Sequence, residues 1–159
     1  MVAGNNIVQT VASNLPVVFT DILVPCNRGL VRFREGTGNF TLSGWTPWED
    51  TIYSCGCMCE AGNSALYDVN VKANIAVPTG GTAGEISLSL SLDGTVVPLS
   101  EMVITPAAVE QYFNVSVDMP IDIWNGCCQS LSLINTSTQD ILVRSPLIAI
   151  TRPDLDVTY

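Results

Sequence analysis

Residues 86–92 read Ile-Ser-Leu-Ser-Leu-Ser-Leu, a strict alternation of apolar and hydroxyl-bearing side chains. A period of two is the period of a β-strand, whose successive side chains point to opposite faces; a helix would repeat every 3.6 residues. Asp93 and Gly94 follow, a pair favoured in two-residue hairpin turns because both central residues need positive φ. Thr95 to Val97 then starts the return strand. Two further segments repeat the pattern. Val69, Val71, Ala73, Ile75 and Val77 alternate with Asn70, Lys72 and Asn74, and Phe113, Val115, Val117, Met119, Ile121 and Ile123 alternate with Asn114, Ser116, Asp118 and Asp122. Less regular strands are expected at 15–24, 29–34, 38–43, 99–104, 129–135 and 140–151.

Turn chemistry separates these runs: Pro25 to Gly29, Gly36 to Gly38, Pro78 to Gly84, Asn125-Gly126 and Asn135 to Gln139. Pro120 inside the third alternation predicts an edge strand, a bulge or two strands. A short helical turn is expected at 105–111, with Thr105 as N-cap and Pro106 as the first helical residue. No segment sustains a helical period, so the fold class is all-β, an antiparallel β-sandwich or barrel. Residues 1–14 carry only scattered Val and Ile and read as an N-terminal arm outside the core, either a frayed end or an attachment segment for a partner. Residues 15–159 read as a single domain.

Composition narrows the function. Hydrophobic residues make up 47% of the chain and charged residues only 13%, about half the usual charged share. Either another chain covers part of the apolar surface, or Ser, Thr and Asn supply the polar face. The net charge of −9 argues against nucleic acid, which demands a basic stripe to displace counterions; anionic membranes are disfavoured for the same reason. No run of 18 apolar residues suggests a spanning helix, and the first residues lack the basic and apolar regions of a secretory signal. Synthesis in a cytoplasm is expected.

The chain has no histidine, which removes Ser-His-Asp and Cys-His catalysis and imidazole ligation of metals. Six cysteines remain: Cys26, Cys55, Cys57, Cys59, Cys127 and Cys128. Three readings of them stay open. Cys55, Cys57 and Cys59 on one face of an extended segment would offer thiolates to a structural zinc ion, although zinc knuckles use wider C-x₂₋₄-C spacing. The six could instead form disulfides in an oxidising setting, or be reduced, buried side chains. A thiol nucleophile is disfavoured, because Glu49, Asp50 and Glu60 would raise its pKa. Paired carboxylates (Glu49 with Asp50, Asp118 with Asp122) look like solvated positions and not a glycosidase pair. Gly80 to Gly84 lacks the Lys of a phosphate loop. No enzyme activity and no cofactor are expected. Trp45, Trp48 and Tyr53 gather in a proline-containing loop; they either plug the end of the sandwich or a subunit seam, or, as exposed rings beside acids, stack on a sugar, which is the alternative function: a carbohydrate-binding module.

The order of Leu66-Tyr67, the alternating strand up to Pro78, Glu85 to Leu92 and the Asp93-Gly94 hairpin resembles the centre of complement/tumour-necrosis-factor-like jelly-roll head domains. Bacterial collagen-like surface fibres and phage virion fibres or decorations carry such heads. Blocks such as Cys26 to Val31, Thr105 to Val115 and Gly126-Cys127-Cys128 are similar to uncharacterised phage and prophage proteins of Firmicutes. The usual glycine before the tyrosine is replaced by Ser64 to Leu66. The resemblance implies jelly-roll topology, a homotrimer, and aromatic side chains at the subunit contact, for which Tyr67, Tyr112 and Phe113 are the candidates. It further implies a structural protein on a virion, or on a bacterial cell or spore surface. Such a protein would be mounted on other fibre or virion proteins through the arm, with host-surface glycans as additional partners.

Overall fold

The computed structural model describes residues 1–26, 30–44, 64–124 and 128–153. Their strands are β1 (Val2–Gly4), β2 (Gln9–Val11), β3 (Asp21–Val24), β4 (Val31–Phe33), β5 (Asn39–Leu42), β6 (Ser64–Ala76), β7 (Ile86–Leu92), β8 (Thr95–Val96), β9 (Met102–Ile104), β10 (Phe113–Trp124), β11 (Gln129–Asn135) and β12 (Ile141–Thr151). They form two six-stranded sheets. The first runs β10-β6-β12-β1-β3, with β2 also on β12; the second runs β4-β5-β11-β7-β8, with β9 also on β7. Every pairing is antiparallel. The fold is therefore the expected antiparallel β-sandwich.

The alternations decide which face turns inward. Along β6, Ala65, Tyr67, Val69, Val71, Ala73 and Ile75 are buried, while Leu66, Asp68, Asn70 and Lys72 are exposed. Strand β10 matches β6 without a slip, from Phe113 opposite Ile75 to Trp124 opposite Ser64. It is one continuous strand at the sheet edge, the position where Pro120 is tolerated because an edge strand has a side without ladder bonds. In the second sheet Phe40, Leu42, Leu88, Leu90, Leu131 and Leu133 face inward. Phe40 meets Phe19 edge-on at 5.3 Å and stacks on Phe33 at 4.8 Å. Gly38 is required by a close approach, since a Cβ there would overlap the carbonyl oxygen of Val17.

The hydroxyl face of β7 is not a solvated one. Ser87, Ser89 and Ser91 are buried. Thr136 serves two of them, its Oγ1 lying 2.7 Å from Ser87 Oγ and 3.1 Å from Ser89 Oγ. Pairing hydroxyls with one another lets a central strand be buried on both faces without stranding most of its polar groups.

Two expectations are corrected. Residues 1–14 are not an arm outside the core: β1 lies between β12 and β3, β2 pairs with β12, and Ala3 and Val11 are buried. The Gln9 side chain reinforces this by accepting from the Val18 N–H and donating to the Val18 carbonyl, both at 2.9 Å. The helical turn at 105–111 does not form either. Glu110 adopts a φ of 58° and donates its N–H to the Val77 carbonyl at 2.7 Å, which ties the segment to the end of β6 as a turn.

Candidate interaction surfaces

The three aromatics expected at a subunit contact occupy different environments. Tyr67 is fully enclosed. Its hydroxyl donates to the Ser43 carbonyl at 2.7 Å and lies 3.3 Å from the Leu30 carbonyl, and the Arg152 guanidinium sits 5.7 Å from its ring centre. A side chain so engaged within its own protomer offers nothing to a neighbour, so Tyr67 is removed from the contact. The alternation itself carried the signal, because Tyr67 shares parity with Val69 and Val71. Tyr112 is half-buried under the Arg144 guanidinium at 5.9 Å. Phe113 is 39% exposed at the start of edge strand β10.

Apolar side chains are also exposed at the opposite edge of the same sheet. All four residues of β3 are exposed, with Leu23 at 58%. Beside it a groove of about 210 Å³ crosses the outer face of the sheet, floored by Gly4 and lined by Leu23, Leu147, Pro146, Asp21 and Lys72. The groove sits where β12 bulges between Arg144 and Leu147, with Ser145 at a φ of 50°.

Sequence reasoning passed over Trp124. It is 67% exposed on the outer face of β10, in line with exposed Asp118, Pro120 and Asp122. Its parity with those polar positions marked it as outward-facing. Asp118 and Asp122 stand opposite Asn70 and Leu66.

Cys26 and Cys128 are half-buried, and Cys26 packs against the core. Cys55, Cys57, Cys59 and Cys127 lie outside the described residues, as do Trp45, Trp48 and Tyr53 with the sugar-stacking loop they were assigned. Among the described residues no group of three metal-ligating side chains converges. The glycine loop after β6 contributes to an open polar cleft of about 630 Å³ with Thr10, Thr79, Thr82, Gln139 and Asp140. There the Gln139 amide grips the backbone of Thr82 in both directions, at 3.0 and 2.8 Å.

No protein-family model matches the chain, and no curated protein matches it in sequence. Solved structures do match in shape. The globular domain of zebrafish complement 1qA protein is similar over 95% of this chain and 94% of its own, with a TM-score of 0.59 and 15% identity. The Eiger TNF from S. frugiperda is similar over 96% of this chain and 91% of its own, with a TM-score of 0.56 and 11% identity. Coverage of nearly the whole of each chain assigns the architecture: this β-sandwich is a jelly roll of the complement 1q and tumour-necrosis-factor type.

Proposed function

We propose that the chain is a non-enzymatic structural module that works as a homotrimer, mounted as a head or decoration on a virion or a bacterial surface fibre. The observation that carries the assembly reading is the placing of exposed apolar side chains on both edges of one sheet. Ile22, Leu23 and Val24 occupy β3, and Phe113 opens β10. Opposite edges suit a heterologous contact, in which one copy's β10 side meets the next copy's β3 side, and a three-fold rotation between copies closes such a contact into a ring of three. Association costs about 4–15 kcal/mol of lost freedom, more than one buried side chain at about 1.5–3 kcal/mol can offset. The run Ile22 to Val24 on β3, met by Phe113, brings several such side chains to one contact. The low charged fraction of 13% agrees with a protomer that hides part of its surface against siblings.

Attachment to a larger particle does not run through residues 1–14 in this reading, because they are built into the sheet. Native mass spectrometry of the purified chain tests the assembly: a dominant species of three protomers is expected, and a single-protomer spectrum retires the proposal. Immunogold labelling of purified particles tests the location, with label on fibres or capsid surfaces as the expected outcome.

A further inference from the structure

The geometry points to a binding surface for amine-bearing sugar chains on the outer face of β10 and β6, with the exposed Trp124 ring as its stacking platform. This inference does not rest on the assembly reading. The parity of β10 puts Trp124, Asp122, Pro120 and Asp118 on one face, and β6 adds Leu66, Asp68 and Asn70 beside them. The cross-strand pairs Trp124–Ser64, Asp122–Leu66, Pro120–Asp68 and Asp118–Asn70 lie in successive rows. At about 3.4 Å per residue these rows span about 20 Å, long enough for several sugar units in line.

The chemistry of the rows selects the ligand. A protein partner would find an apolar ring of side chains excluding water around the tryptophan. Among the described residues of these rows only Leu66 and Pro120 are apolar beside the tryptophan, and the others are carboxylates, an amide and a hydroxyl. That mixture suits a pyranose, whose C–H face lies on the indole while its hydroxyls meet polar groups. Asp68, Asp118 and Asp122 add negative charge to these rows, and among the described residues of β6 and β10 the cation on this face, Lys72, stands beyond them opposite Ser116. Protonated amino groups complement that field, through charge-assisted hydrogen bonds to the carboxylates and cation–π attraction to the ring. Uronic acids would be repelled. The ligand class is thus a glucosamine-type chain rather than a neutral or acidic polysaccharide.

The test titrates the full chain with the fully deacetylated glucosamine hexamer at mildly acidic pH, alongside its N-acetylated counterpart and an oligogalacturonate. Saturable binding of the deacetylated hexamer is expected, with weaker binding of the acetylated one and none of the uronate. Trp124→Ala should weaken binding about tenfold and Asp122→Asn about threefold, with unfolding curves and oligomeric mass unchanged. Three results overturn the inference. These are no saturable binding to the wild type, binding indifferent to Trp124→Ala (charge attraction alone), or a changed mass in that variant, which would place the ring against another copy. Mass is read separately from binding, so loss of the trimer and loss of the sugar site remain distinct outcomes.

Discussion

The Tyr67 hydroxyl donates a 2.7 Å hydrogen bond to the Ser43 carbonyl, joining β6 of one sheet to the residue that follows β5 in the other. The ring fills the core while its polar tip satisfies a backbone acceptor, which is how a buried tyrosine avoids the cost of an unpaired hydroxyl. Tyr67→Phe keeps the ring and strands the acceptor. Urea unfolding should show a loss of about 1–3 kcal/mol. Tyr67→Ala should cost about 3–5 kcal/mol through the cavity it leaves. Neither substitution is expected to change the oligomeric mass of the folded fraction, and a selective loss of assembly in Tyr67→Phe would return this residue to the interface.

Asn135 is fully buried and ties β2 to the turn that follows β11. Its Nδ2 donates to the carbonyls of Val11 and Gln139, both at 2.9 Å, and its Oδ1 accepts from the Ser137 N–H at 2.9 Å. Asn135→Ala leaves those groups without this partner in a dry site. The expected destabilisation is about 2–4 kcal/mol, measured as a shifted denaturant midpoint with an unchanged slope.

Deleting residues 1–8 tests whether the N-terminal segment belongs to the fold. The deletion removes β1 from between β12 and β3 and uncovers the inner side of the sheet around Ala3. A steep loss of thermal stability or of soluble protein is expected. A truncated chain that unfolds at the wild-type temperature would restore the picture of an external arm.

Much of the sandwich was legible in the alternations, because a buried face on a β-strand imposes period two on any sequence that forms it. Strands β7 and β11 fall where hydroxyl and apolar positions interleave, and the outward parity of Trp124 could be read from Asp118 and Asp122. What escaped was set by partners distant in sequence. Strands β1 and β2 have three residues each, too few to display a period, and they are strands because β12 supplies a ladder some 140 residues away. Tyr67 was displaced to the surface by analogy with related heads, against its own parity. Asn114 and Asn74 illustrate a third case: their side chains meet at 3.4 Å across β10 and β6, a contact that depends on register and not on local sequence.

Gly38→Ala probes a close backbone approach between β5 and the segment before β3. A Cβ at this position would overlap the Val17 carbonyl and lie 3.0 Å from the Pro16 side chain. The segments must separate to admit it, at an expected cost of about 1–3 kcal/mol. Calorimetry should report a lowered midpoint, and an unchanged one would mean that the 15–20 segment yields freely.

The central claim is that Ile22, Leu23 and Val24 on β3 and Phe113 on β10 are covered by sibling copies. Light scattering across a dilution series of wild type and Leu23→Lys measures this most directly. The account predicts a mass of three protomers for the wild type at micromolar concentration, and a shift toward single protomers in the variant with its fold intact. A wild-type mass of one protomer throughout the series would contradict it.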